Sequence, residues 1–258
     1  TCSFKVWTDK GKIVGFEPQA LNKATPEGVC LKGLSYLERT YSEDRILFPL
    51  KKVKGNFIRI SWKEALLEIA EKLTYFKEIF TAHSVLFYSA SGMSGLLNTL
   101  SSEFWKLYGG ATTVYGNLCW PAGLEAVRLT LGDNKHNIAW DLENAKLIVL
   151  WGKNPAETNI QQMIPIEKAQ EKGAKLVVID PRRTVSSERA NLLLQPIPGT
   201  DGILALAITK MLIQKDQIDN EFIAQNVHGF DQFKESIKDL DITDKNALFS
   251  VSIDLFQA

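Results

Sequence analysis

Cysteine and histidine are the scarce residues here, three of each in 258. Three cysteines cannot pair off into a disulfide framework, and a chain of this length does not need one. Metal ligation and plain burial are the readings left for them. His83, His136 and His228 are scattered without helical or hairpin spacing, so they form no ligand set and read as surface or packing residues. Charge of one sign is missing too: 30 basic residues balance 30 acidic ones, which argues against a nucleic-acid partner and against an acidic disordered tail. No apolar run approaches the ~18 residues that a membrane span needs, so no direct membrane span is expected. There is no charged segment leading into an apolar leader, no internal repeat and no low-complexity stretch. A P-loop, a nucleophile elbow and the glycine fingerprint for NAD are likewise absent. The first residue is Thr1 rather than Met, so an upstream segment is expected and the compartment stays open, cytoplasmic or exported.

What is present is an ordinary globular composition, 45% hydrophobic, enough for one large domain or two modest ones. Phe4–Trp7 and Lys12–Phe16 flank Thr8-Asp9-Lys10-Gly11 and predict a small hairpin. A loop follows over Asn22–Gly28, so the first fifty residues read as a small, loop-rich module in which Cys2 and Cys30 bracket the hairpin and loop. Ser61-Trp62-Lys63-Glu64 is a capping box. Trp62, Ala65, Leu66, Ile69, Leu73, Phe76 and Phe80 behind it share one helical face. Ser84–Ser89 reads as a buried strand, and a helix over about 96–108 stops at Gly109-Gly110. Ala145–Trp151, a helix over 160–172, and Lys175–Asp180 form a βαβ unit, which implies a parallel sheet with a right-handed crossover. Pro198-Gly199-Thr200-Asp201 opens a long helix with Thr200 or Asp201 as its cap.

Two places carry chemistry on their own residues. Ligands of open α/β sheets sit beyond the carboxyl ends of the strands, and Gly152-Lys153-Asn154 and Asp180-Pro181-Arg182 occupy two such ends. Asn154 offers a donor and an acceptor. Arg182 offers a planar cationic fork suited to phosphate. Asp180 can accept from a guanine edge or a ribose hydroxyl, and Gly199-Thr200-Asp201 begins a helix, whose N-terminus favours anions. The alternative makes all of these ordinary caps and turns. Separately, Cys2 and Cys30, with 27 residues and the hairpin between them, can bring two thiolates to one metal centre or be plain buried cysteines.

Five motifs stand in order along the chain: Pro49–Val53, Phe57–Ala65, Trp151–Asn159, Ile179–Thr184 and Pro198–Asp201. Together they resemble the molybdopterin oxidoreductases of the dimethyl sulfoxide reductase superfamily, over essentially the whole chain. The resemblance implies molybdopterin guanine dinucleotide, two copies with Mo or W, contacted by Asn154, Asp180, Arg182, Thr184, Gly199, Thr200 and Asp201. It implies that Cys2 and Cys30 are the last two of four ligands to a [4Fe–4S] cluster, the first two lying upstream of Thr1. It matches Lys32 to the family's lysine between cluster and pterin. It also makes Cys119, in Gly116–Gly123, the protein ligand to the metal, since a soft metal held by dithiolenes takes a thiolate readily. Formate dehydrogenases of the family follow that cysteine with histidine; here Trp120 follows, which puts formate in doubt.

The expected architecture is therefore α/β: a small N-terminal iron–sulfur module (1–51), then two Rossmann-like α/β regions with parallel sheets, at 52–140 and, for the guanine dinucleotide, at 141–258. The expected activity is two-electron redox of a small-molecule substrate, with electrons leaving through the cluster to an electron-transfer subunit of the full protein. Two rivals keep the fold. One is an electron-transfer scaffold resembling the large cluster-bearing subunit of NADH dehydrogenases, against which Cys119 and the intact nucleotide motifs argue. The other is a non-redox hydratase, which activity with an artificial electron acceptor separates.

Overall fold

The computed structural model describes residues 2–19, 21–22, 25, 28–89, 95–115 and 121–241. In chain order its elements are β1 (Phe4–Asp9), β2 (Lys12–Pro18), α1 (Leu31–Leu34), α2 (Tyr36–Tyr41), β3 (Leu50–Val53), β4 (Asn56–Arg59), α3 (Trp62–Ile79), β5 (Leu86–Phe87), α4 (Leu100–Tyr108), β6 (Thr112–Thr113), α5 (Pro121–Leu131), β7 (Leu147–Trp151), α6 (Pro155–Thr158), α7 (Met163–Glu171), β8 (Lys175–Ile179), β9 (Leu192–Leu194), α8 (Asp201–Gln214), α9 (Asn220–Asn226) and α10 (Phe230–Ser236). They gather into two compact units, Thr1–Ser35 with Asn137–Ala258, and Tyr36–His136. Among the described residues, no helix is long and apolar enough to cross a membrane.

The first unit is built on a parallel sheet in the order β7-β8-β9. Alternation along the strands sends side chains to two faces. Ile148, Leu150, Leu176 and Val178 meet Met163, Ile166 and Ala169 of α7 on one face. Ile179 and Leu194 meet Leu204 and Ala207 of α8 on the other. The result is a helix–sheet–helix sandwich, as the βαβ pattern implies. Leu176 and Ile166 are wholly enclosed, and burying such a side chain contributes roughly 1.5–3 kcal/mol. The expected helix over 160–172 is interrupted: α6 and a 3-10 turn at Ile160–Gln162 precede α7. β9 is not marked in the sequence, because three leucines running into Gln-Pro-Ile-Pro resemble a loop.

In the same unit β1 and β2 form the expected hairpin, closed by Lys10 and Gly11 at φ +44° and +78°, with a bulge between Trp7 and Thr8. Gln19 N–H donates to the Ser3 carbonyl at 2.8 Å, and Phe4 packs edge-on against Phe16 with ring centres 4.9 Å apart. A Cβ placed on buried Gly33 would lie 3.2 Å from the Phe4 ring and 3.1 Å from Val29 Cβ, so α1 lies close against the start of β1.

In the second unit Ser61 caps α3 as expected: its hydroxyl accepts from Glu64 N–H, and the Glu64 carboxylate accepts from Ser61 N–H at 2.8 Å. The Ser61 hydroxyl, then the Ser61 N–H, hold the Glu64 carboxyl below its ordinary value. The apolar face of α3 is not buried within this unit, where no α3 residue is enclosed. The Ser84–Ser89 strand shortens to β5, because its parallel partner β6 offers only two residues, Thr112 and Thr113. Tyr108 of α4 donates its hydroxyl to the Leu73 carbonyl at 2.6 Å and stacks with Phe104, tying α4 to α3. The β3–β4 hairpin, closed by Lys54-Gly55, went unforeseen.

Candidate functional site

The three parallel strands of the first unit end level. Trp151 pairs with Ile179, and Ile179 pairs with Leu194. Three loops leave this carboxyl edge side by side: Gly152–Asn154 after β7, Asp180–Thr184 after β8, and Gln195–Thr200 after β9. All the nucleotide-site residues expected from the sequence fall in these loops or on the first residue of α8.

Asn154 leads into α6 and is 9% exposed. Its carbonyl accepts from Thr158 N–H at 3.0 Å and from the Thr158 hydroxyl at 2.8 Å, which fixes the backbone. Its Oδ1 accepts from the Ser186 hydroxyl at 2.7 Å, while Nδ2 is enclosed and has no hydrogen-bond partner. Such an orphan donor is uncommon in a folded protein and calls for an explanation, a ligand among them. Gly152 and Gly199, at φ +58° and +92°, flank the edge, and a Cβ at either would meet nothing within 4 Å. Backbone and ligand can therefore approach closely there.

Asp180 has one oxygen fixed by Arg182 N–H at 2.9 Å, an Asx turn that shapes the second loop. Arg182 is exposed, 3.6 Å from a Glu157 oxygen, a pairing worth little in water and readily exchanged for another anion. Asp201 accepts from the indole Nε1 of Trp151 at 2.7 Å, joining the start of α8 to the end of β7. Thr200 holds the cap position of α8 without a side-chain bond to the helix; its hydroxyl donates to the Ile197 carbonyl at 2.7 Å. Thr184 is buried and caps the 3-10 turn at Val185–Arg189 in a reciprocal exchange with Ser187, so its hydroxyl faces its own turn.

Three residues at this edge were missed in the sequence. Trp151 read only as a strand end. Gln195 donates from Nε2 to the Pro181 carbonyl at 3.1 Å and ties the third loop to the second. Ser186, wholly buried, accepts from Ala156 N–H at 3.0 Å and donates to Asn154. A serine in the run Thr184–Arg189, polar but for Val185, carries no periodic mark of burial. Only the cap-and-return spacing of Thr184 and Ser187 hints at a closed turn.

Cys2 and Cys30 are half-buried free thiols on the same unit. The contact of Phe4 with the Gly33 position brings their two segments together. The thiol of Cys30 is held below its ordinary value, first by the Gly33 amide and then, against slight desolvation, by the Lys32 amide and ammonium. The Gly33 N–H also bonds to the Cys30 carbonyl at 2.8 Å, so the turn that starts α1 turns its amides toward Cys30 and favours the thiolate. Lys32 is exposed. Among the described residues no three His, Cys, Asp or Glu side chains gather into a metal site. Cys119 lies outside the described residues.

Residues 45–257 match the sequence model of the molybdopterin oxidoreductase family. The chain is 36% identical over 238 residues to the probable oxidoreductase YyaE of Bacillus subtilis, covering 92% of this chain and 36% of that protein. It is 32% identical over 238 residues to the assimilatory nitrate reductase catalytic subunit of the same organism, covering 90% and 33%. Among solved structures it is similar to acetylene hydratase from Pelobacter acetylenicus, with a TM-score of 0.72, 28% identity, and coverage of 93% and 33%. The chain thus spans about a third of the length of the relatives it matches.

Proposed function

The chain belongs to the molybdopterin oxidoreductase family, and from that membership we propose that it is the part of a Mo- or W-dependent oxidoreductase that grips the guanine end of molybdopterin guanine dinucleotide and carries two ligands of a [4Fe–4S] cluster. The single observation behind the first half is the orphaned Asn154 Nδ2 at the level carboxyl edge of a parallel sheet.

The donor set suits a guanine nucleotide. Asp180 and Asp201 each have one oxygen fixed, by Arg182 N–H and by Trp151, and the second oxygen of each accepts from the guanine N–H edge or a ribose diol. Arg182 exchanges Glu157 for a phosphate oxygen, and Asn154 supplies a neutral donor. Because Asp201 already places a carboxylate in the first turn of α8, phosphate is better received at Arg182 than at that helix end. Gly152 and Gly199 leave room for backbone approach, and Thr200 and Thr184 brace the loops. Cys2 and Cys30 would hold two positions of the cluster, and Lys32 adds positive charge next to Cys30. Cys119 is the protein ligand to the metal. When bound, the metal and its pterins would supply two-electron redox chemistry on a small-molecule substrate, and a cluster held by Cys2 and Cys30 would supply a one-electron route toward a partner subunit.

The similarity to acetylene hydratase favours one second reading, a non-redox reaction on the same cofactor. The full-length protein, purified anaerobically, separates the cases. Mo or W together with substrate-dependent reduction of a viologen dye supports the oxidoreductase. Metal without dye reduction but with hydration of an unsaturated substrate supports the hydratase. A protein with iron but neither Mo nor W removes both and leaves an electron-transfer scaffold.

A further inference from the structure

We propose that Ser186 is a positioning residue: it fixes which end of the Asn154 amide faces the bound group, so that this position selects for a hydrogen-bond acceptor. The inference rests on the nucleotide reading above.

The Ser186 hydroxyl has one proton and two lone pairs. One lone pair takes the Ala156 N–H at 3.0 Å, and the proton goes to Asn154 Oδ1 at 2.7 Å. Turning the amide over would set its NH2 against the serine. The serine proton would then have no acceptor in a wholly buried site, and the amide oxygen would have no donor. The observed orientation leaves one unmet group, Nδ2; the reversed one leaves two. The backbone of Asn154 cannot compensate, because Thr158 holds its carbonyl twice. Ser186 also comes from the turn after β8, whereas Asn154 follows β7, so the same bond sets the distance between two loops of the edge. What remains on offer is a donor alone. It suits a phosphate, ribose or carbonyl oxygen and opposes an N–H, since an unmet buried donor is relieved only by an acceptor.

Full-length protein freed of cofactor and titrated with guanosine diphosphate in a calorimeter tests this. Ser186→Ala should weaken binding ~10-fold, the loss expected of one hydrogen-bonded neutral contact. Ser186→Thr, which keeps the hydroxyl, should bind like wild type. Asn154→Asp keeps an acceptor for Ser186 but removes the donor, and should lose at least as much as Ser186→Ala. In an Asn154→Ala background, Ser186→Ala should cost nothing further. Titration with pyrophosphate assigns the acceptor. A loss shared by pyrophosphate puts it on phosphate, a loss confined to the nucleotide puts it on the nucleoside, and either supports the proposal. An equal effect of Ser186→Ala in both backgrounds, no effect in wild type, or undiminished binding by Asn154→Asp overturns it. If Ser186→Ala does not fold, the Ser186→Thr and Asn154→Asp variants decide. A wild-type protein that binds no guanosine diphosphate removes the nucleotide reading itself, and this proposal with it.

Discussion

Replacing Trp151 with Phe removes one hydrogen bond and little else. The indole Nε1 donates to Asp201 Oδ1 at 2.7 Å. The ring body packs against the cluster of Ile179, Leu194, Leu204 and Ala207, which a phenyl ring still covers in part. Bonds to a charged partner contribute about 1.5–3 kcal/mol when sheltered. Asp201 is exposed, so water replaces most of the lost bond and the stability cost falls to about 1 kcal/mol or below. The larger effect should fall on binding. A freed carboxylate samples several rotamers, and re-ordering one such side chain costs about 0.5–1.5 kcal/mol, or roughly 2- to 10-fold in affinity. Calorimetric titration with guanosine diphosphate, beside thermal unfolding of the same samples, separates the two. Weaker binding with near-normal unfolding is expected. Unchanged affinity would refute the idea that Trp151 holds Asp201 ready for the nucleotide.

Leu176→Ala should cost about 2–5 kcal/mol in urea unfolding, because the side chain is fully enclosed between β7 and α7; a cost under about 1 kcal/mol would mean that the sheet core is loose. Ser61→Ala should weaken α3 by about 1 kcal/mol. Glu64 is held below its ordinary pKa, so its contribution is fully present above the unfolded carboxylate pKa and fades as pH falls through the lowered folded value. An acid titration followed by circular dichroism should show that fading in wild type and a smaller one in Ser61→Ala, which loses the hydroxyl but keeps the residue 61 N–H. Cys119→Ala in the full-length protein should sharply lower turnover while leaving the fold intact, whereas Cys119→Ser should retain metal; normal turnover in the alanine variant would remove the ligand assignment.

The sequence spoke most clearly where apolar runs were long and bounded. Leu147–Trp151 and Lys175–Ile179 pair in the parallel register that the βαβ pattern requires, and the Ser61 box caps its helix. It was silent where few residues carry the structure. β9 is three residues long, and β3 and β4 are exposed four-residue strands, β3 with Lys51 and Lys52, so only Lys54-Gly55 marks a hairpin. The placement of Asn154 and Asp180 at one sheet edge was legible, because each follows a strand of the same βαβ unit and parallel strands point their carboxyl ends the same way. Ser186 was not: its importance lies in a bond between two loops, and spacing along one chain segment does not reveal contacts made across the sheet edge. The apolar face of α3 shows the converse limit, since periodicity marks a face without saying what covers it.

The central claim is that this chain holds a guanine dinucleotide form of the cofactor. Acid denaturation of the anaerobically purified full-length protein, followed by chromatography of the released nucleotide and metal analysis of the same sample, tests it most directly. The account predicts guanosine monophosphate released in proportion to Mo or W, and loss of both in an Asp180→Ala, Asp201→Ala double variant that still folds. Metal without any guanine nucleotide, or nucleotide retained in full by that variant, would contradict it.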